Sequence, residues 1–356
     1  MGPPQIEASQ CGRRSRRRRG GAPELTPCAR LGARRLLALL AALSLALLAG
    51  CGGAGEVDRP EVRATLVLDF APNAVHAGIF TAVARGYDSA EGVDLRIREP
   101  SSSSEGLRLL LAGRAEFAVL DIHDLALARE KGRDVVGVLA LVQRPLAAVL
   151  AAPGVRRPAE LEGKRAGVTG LPSDQAVLRS VVAGDGGDPD RVESVTIGFN
   201  AVASLLGGKV SGATAFWNVE GVALERRRPG VRTFKVDDFG APAYPELVLA
   251  VTRRTLVEEP SVVRAAVAGI SRGYDFTLDD PESSAQDLLG RSRGVDPALL
   301  QAQLDAVSPA FVGQARRYGE LDRRRLRAWA AWEARFGITK RPPDVARAFG
   351  GPAVTG

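Results

Sequence analysis

Side chains suited to holding a small molecule fall into a few short stretches of this chain. The first is Leu68-Asp69-Phe70-Ala71-Pro72-Asn73-Ala74-Val75-His76-Ala77-Gly78. It offers a carboxylate at Asp69, an aromatic face at Phe70, an amide at Asn73 and an imidazole at His76. His76 is one of two histidines; the other, His123, follows Asp121. A further stretch, Trp217-Asn218-Val219-Glu220-Gly221, sets a carboxylate three residues after an indole. Glu220 can accept paired hydrogen bonds, and bonds to a charged acceptor are stronger than neutral ones. Ser173, in Gly170-Leu171-Pro172-Ser173-Asp174, sits where backbone N–H groups at a helix start can hold an anion. Tyr244, in Ala241-Pro242-Ala243-Tyr244-Pro245, precedes an apolar run. These groups suit capture rather than bond-making: the chain has no nucleophile elbow, HExxH pair or phosphate-binding glycine loop.

Each residue also has a plainer role open to it. Asn73 is a natural helix cap, and Pro72 shapes a turn. His76 is open to a purely structural bond, and His123 to a helix-start contact. Ser173 or Asp174 can cap the helix after them, and Glu220 can complement a helix dipole. Trp217 can stack on a flat ligand or fill a lobe interface. Tyr244 can line a cleft or pack at a hinge. The run Arg323 to Arg325 reads as a solvated face, with Trp329 and Trp332 packing inward.

The N-terminal end indicates where such a protein would work. Arg34 and Arg35 precede an almost unbroken run of Leu and Ala, Leu36 to Leu48, then small residues, then Cys51. That order is the order of a secretory signal. It is too short to span a bilayer comfortably, since a spanning helix needs roughly 20 apolar residues. Leu48-Ala49-Gly50-Cys51 resembles the lipobox of bacterial lipoproteins, where the leader is cut before a Cys that then carries acyl chains. The expectation is export, with lipid on Cys51 holding the protein to the outer face of the cytoplasmic membrane.

The leader also explains the charge. Residues 1–50 hold nine Arg and two Glu, which account for the whole net charge of +7. The remainder is neutral, so it has no positive field for phosphates, and no nucleic-acid partner is expected. All three cysteines, Cys11, Cys28 and Cys51, lie at or before the cleavage point. Beyond them no disulfide or Cys metal site is available, and stability must come from a packed core.

The elements that must position these residues alternate in type. Gly52 to Pro60 reads as a tether. Strands are expected at 64–69, 94–98, 117–120, 135–141, 147–151, 165–168, 192–197, 213–216, 231–236 and 246–252. Helices are expected between them at 75–87, from Ser102 with Glu105 closing a capping box, and at 122–131, 174–182, 201–206 and 219–227. From Pro260 the pattern is helical: 260 onward with a Val263, Ala266, Val267, Ile270, Tyr274 stripe, then 281–292, 297–307 and 322–336. Alternating strands and helices predict α/β architecture with largely parallel sheets. Two such sets, joined by extended pieces near 146–153 and 244–252, predict two lobes: 62–148 with 250–340, and 149–249, with 341–356 as a tail. Ligands of such sheets sit at the carboxyl ends of strands and between domains.

The first stretch resembles Leu-Asp-Trp-x-Pro-Asn-x-x-His-x-Gly, the opening motif of solute-binding proteins that deliver thiamine pyrimidine precursors to ABC importers. Ala115-Glu116-Phe117-Ala118-Val119 resembles their Gly-Lys-Ala-Glu-Phe-Gly-Val segment, and Trp217 to Gly221 their Trp-x-x-Glu-Gly. The likeness runs from about Val62 to Thr252, and more loosely to Phe336. It implies a two-lobed, type II periplasmic-binding-protein-like fold with a ligand cleft between lobes. It implies permease and ATPase partners, no cofactor and no catalysis, with Glu220 facing an aminopyrimidine edge. The site set implied is Asp69, Phe70, Asn73, His76, His123, Ser173, Trp217, Glu220 and Tyr244. The family Trp is Phe70 here, which keeps a ring face but loses an N–H donor.

Two alternatives remain. Binding proteins for sulfonates, taurine and nitrate share the wider family, and an anionic ligand would use contacts near Ser173. Some relatives are pyrimidine-phosphate synthases that need pyridoxal phosphate on a cleft lysine. The lysines after the leader are Lys131, Lys164, Lys209, Lys235 and Lys340, and none falls in a matched motif.

Overall fold

The computed structural model describes residues 62–102 and 104–355. The leader, the Cys51 acylation point and the tether lie outside the described residues. The described residues all fall within one compact unit. Its strands are β1 (Val62–Val67), β2 (Val93–Arg98), β3 (Phe117–Asp121), β4 (Val135–Ala140), β5 (Ala147–Ala151), β6 (Arg165–Val168), β7 (Glu193–Thr196), β8 (Gly212–Phe216), β9 (Arg232–Lys235), β10 (Leu247–Thr252), β11 (Leu321–Asp322) and β12 (Val354–Thr355).

Ten of them build two five-stranded sheets, in the orders β2-β1-β3-β10-β4 and β7-β6-β8-β5-β9. In the first, β1, β2 and β3 run parallel, and β10 lies antiparallel between β3 and β4. In the second, β6, β7 and β8 run parallel, and β5 lies antiparallel between β8 and β9. The antiparallel member of each sheet is the strand on which the chain has just crossed from the other lobe. The chain leaves the first sheet after Ala140, starts the second at Ala147 and returns at Leu247. Boundaries at 148 and 249 therefore cut through β5 and β10, which belong whole to the second and first lobes. β4 and β5 are buried at every position, as expected of strands covered on both faces.

The helices differ from their sequence expectations where small residues intervene. The helix expected over 75–87 is a 3-10 turn at Ala74–His76, a helix at Ala77–Ala84 and a short one at Tyr87–Ala90. Gly86, at φ 68°, breaks it. The helix expected from Ser102 starts at Glu105. Glu105 instead reaches back to the N–H and hydroxyl of Ser101 and pairs with Arg98, so Ser102 makes no box. Of the tail expected at 341–356, the described part is packed rather than trailing. Phe349 is buried against Trp329 and bridges to Gly137, and β12 pairs with β11.

Candidate functional site

The three sequence motifs owe much of their form to structure. Asn73 caps the 3-10 turn by accepting the Val75 N–H at 3.0 Å. The Asn73 N–H donates to His76 Nδ1 at 3.3 Å, closing a reciprocal box. That leaves Nε2 of His76 to carry the proton and donate to Asp69 Oδ1 at 2.8 Å. His76 is fully buried, so it orients Asp69 instead of touching a ligand itself. Gly78 has a packing reason: a Cβ there would lie 2.3 Å from the Tyr274 ring. Tyr274 in turn donates to the Val75 carbonyl at 2.6 Å, fixing the motif loop from behind. In the second motif, Glu116 accepts the Thr65 N–H at 2.7 Å and ties β1 to the start of β3.

A cleft opens between the lobes at the carboxyl ends of β1, β3, β6, β7 and β8, where such sheets take ligands. Of the expected residues, Asp69, Phe70, Asn73, His123, Ser173 and Glu220 line it; His76, Trp217 and Tyr244 do not. Trp217 is buried behind the wall. Its indole N–H donates to the Pro145 carbonyl at 2.9 Å, its backbone N–H to Leu146, and the Lys235 ammonium stands 3.9 Å over its ring. Trp217 therefore fastens the first crossing, and its ring has no free face for stacking from that side. Tyr244 is fully buried, packed against His123 at 5.4 Å and Trp332 at 5.7 Å, and so does not wall the cleft. Neither Ser173 nor Asp174 caps its helix. That helix starts at Pro172 after Leu171 with no side-chain cap, and Asp174 accepts the Thr169 N–H at 2.8 Å together with the Thr169 hydroxyl.

Glu220 sits in a single π-helical turn, Trp217–Gly221, that follows β8; such turns are frequent at functional sites. Its Oε2 accepts the Phe216 N–H at 3.2 Å, and its own backbone N–H also favours the charged form. Burial raises its pKa above the usual carboxylate value.

Other lining residues carried no motif. Asp121, Asp124, Asp174 and Glu246 join Asp69 and Glu220, giving six carboxylates; among the described residues no lysine or arginine lines the cleft. Burial pushes Asp121, Asp124, Asp174 and Glu246 upward too. Phe199 and Phe216 add rings, and Phe199 approaches Phe70 to 5.9 Å from the opposite lobe. Both are exposed, Phe199 at 56% and Phe70 at 39%. One sequence signal could have found Asp121: it stands at the carboxyl end of the apolar strand β3, the side where ligands of such sheets bind.

At the back of the cleft the two crossings are joined. Glu246 Oε2 accepts the N–H groups of Leu146 (2.5 Å) and Ala147 (3.1 Å). Arg144 holds Asp237 and Asp238 across the same gap. His123 pairs through Nδ1 with Glu333 and faces the Tyr244 hydroxyl at 3.3 Å through Nε2. Burial opposes charge on His123, but the carboxylates of Glu333, Asp121 and Glu246 outweigh it and push its pKa up to about 10. His123 is therefore a buried imidazolium at neutral pH.

A two-lobed α/β protein with crossing strands and an interlobe cleft has the periplasmic-binding-protein fold, and the solved structures agree. The aliphatic sulphonate binding protein SsuA of Escherichia coli matches with a TM-score of 0.67 at 14% identity, over 83% of this chain and 94% of that one. The family model described as NMT1/THI5 like matches residues 73–284, and the chain belongs to that family. It is 30% identical over 272 residues to the formylaminopyrimidine-binding protein of Halalkalibacterium halodurans, covering 75% of this chain and 82% of that relative. It is 25% identical to the 4-amino-5-hydroxymethyl-2-methylpyrimidine phosphate synthase of Legionella pneumophila, covering 70% and 80%.

Proposed function

We propose that this protein is the substrate-binding component of an importer, capturing an aminopyrimidine between its lobes. The observation that carries this is the acidic lining. Six carboxylates, against the single His123 imidazolium and no lysine or arginine in the described lining, disfavour a sulfonate or nitrate, since buried like charge is costly. They suit a ring whose edge presents amino N–H donors. Phe70, Phe199 and Phe216 supply ring faces for a flat heterocycle. Lobe closure about the two stapled crossings would bury the ligand. Export, lipid attachment at Cys51, and permease and ATPase partners complete this reading, supported by the signal-like leader and the binding-protein relative.

A synthase reading has less support. A pyridoxal Schiff base needs a cleft lysine, and Lys235 is committed over the Trp217 ring.

The test is thermal unfolding of residues 52–356 with aminopyrimidines, thiamine, taurine and nitrate. A ligand at about 100 times its Kd adds about 2.7 kcal/mol of stability. Stabilisation by aminopyrimidines supports the reading; stabilisation by anions alone sinks it. Glu220→Gln is expected to weaken aminopyrimidine binding by about tenfold, the worth of one charge-assisted bond, while leaving the fold intact. Equal affinity by calorimetry would remove Glu220 from the site.

A further inference from the structure

We propose that Trp332 and Ser180 form a latch that holds the two lobes drawn together from outside the cleft, so that this pair sets how much of the protein rests closed. The proposal rests on lobe closure as the mode of capture and adds the residues that govern it.

The latch is built from one helix of each lobe. The helix Pro172–Gly184 follows β6 in the second lobe, and its residues Ser173, Asp174 and Val177 line the cleft. Ser173, Val177 and Ser180 recur at helical spacing on one face, so the stripe that faces the cleft runs on to Ser180. At the end of this helix Gly184 lies so close to the Phe239 carbonyl that a Cβ has no room. The helix is thereby fixed to the second lobe. The helix Arg323–Arg335 is fixed to the first: its Trp329 packs on Phe349, which bridges to Gly137 of β4. Trp329 and Trp332 are both buried three residues apart, yet their indole N–H groups fare differently. That of Trp329 has no hydrogen bond, whereas that of Trp332 donates across to Ser180 Oγ at 3.2 Å.

Two further observations make this bond a control on the angle between lobes. Trp332 packs on His123 at 5.8 Å and on Tyr244 at 5.7 Å, next to the second crossing, so its ring is held on the first-lobe side of the hinge while Ser180 travels with the second. The lobes also touch at the cleft mouth, where Phe70 and Phe199 stand 5.9 Å apart, so the bond is made while the cleft is narrowed. The contacts of the crossings join segments that neighbour the hinge; Trp332 and Ser180 join the bodies of the lobes. An indole N–H is a single donor, and a rotation that carries Ser180 away leaves it to water. One neutral hydrogen bond changes a two-state ratio by about fivefold, enough to shift the lobes without locking them. Apparent affinity follows the closed fraction.

Distances between spin labels test this in the full chain, with Cys11, Cys28 and Cys51 replaced by Ser. The labels are carried by Val257→Cys in the first lobe and Leu206→Cys in the second, both exposed positions. Without ligand, Ser180→Ala and Trp332→Phe are each expected to shift the population ratio about fivefold toward a second distance. The double variant should go no further than either single one, because both remove the same bond. Calorimetry with 4-amino-5-hydroxymethyl-2-methylpyrimidine should then show binding weakened by up to about fivefold in each. Unchanged distances in both single variants would overturn the proposal, and a loss of thermal stability beside unchanged distances would reduce the pair to a packing contact. Shifts in the double variant equal to the sum of the two singles would also overturn it, since the residues would then act independently. Failure of the parent chain to bind the pyrimidine would overturn the function proposed above and leave the distances to decide the latch.

Discussion

The cleft and the packed seam behind it are both rich in acid, yet they treat it differently. In the seam each carboxylate group meets a cation or backbone N–H groups through at least one oxygen, although Oε2 of Glu333 has no hydrogen bond. Glu333 meets an imidazolium, Asp237 and Asp238 meet Arg144, and one oxygen of Glu246 meets two backbone N–H groups. In the cleft, Glu220 is held by backbone N–H groups alone, and the other oxygen of Glu246 has no hydrogen bond, only the His123 ring 3.8 Å away. Glu246 belongs to both regions, one oxygen in each. The contrast separates acid that holds the lobes together from acid kept for a ligand. It predicts that substitutions in the seam cost stability, whereas substitutions in the cleft cost affinity.

The largest expected effect is in the seam. Glu333→Ala strands the His123 imidazolium and should destabilise the protein by about 3–5 kcal/mol, the usual cost of breaking one side of a buried pair. Urea denaturation measures it, and a loss below about 1 kcal/mol, the range of an exposed pair, would erase the distinction between the regions. The second effect is on pH dependence. His123 is raised in the folded protein from 6.5 to about 10, so its contribution is full below about pH 6.5 and is lost as pH rises through about 10. Stability should fall across that window, by up to about 1.4 kcal/mol per pH unit. The slope should flatten in His123→Gln; an unchanged slope would place the titrating group elsewhere.

In the cleft, Asp174→Asn should leave stability within about 1 kcal/mol, because an amide oxygen still accepts from Thr169, yet weaken ligand binding by about tenfold. Loss of stability with unchanged affinity would move Asp174 into the seam's class. The smallest effect belongs to Phe199→Ala, an exposed ring. It should leave stability unchanged within about 0.5 kcal/mol and weaken binding several-fold, about 1 kcal/mol of ring contact. Calorimetry that shows no change would confine stacking to Phe70 and Phe216.

The alternation of strand and helix was legible because apolar runs end at turn residues. β5, β6 and the helix Ala201–Leu206 fall where the pattern puts them. Strand direction was not legible. Nothing in the apolar run of β10 says that it lies antiparallel between β3 and β4, because both neighbours bury it alike. The first motif was legible as a unit, but its division of labour was not. Asp69 and Asn73 face the cleft while His76 stands behind them, a difference of ring orientation that spacing cannot show. Asp124 and Glu246 were missed because lone acids next to apolar runs resemble ordinary surface charge until the second lobe covers them.

The crossing strands have a consequence for how the chain acquires its shape. β3 and β4 are separated in the first sheet by β10, which is synthesised more than a hundred residues after β4. Until then both strands carry open edges, and the sheet has a gap at its middle rather than a missing rim. The first lobe thus waits on the second, and its completion depends on contacts distant along the chain, which slows folding. A ribosome-bound fragment ending before Leu247 would hold the whole first motif and still have no finished sheet to display it. Such a chain cannot close its first sheet until nearly all of it has been made.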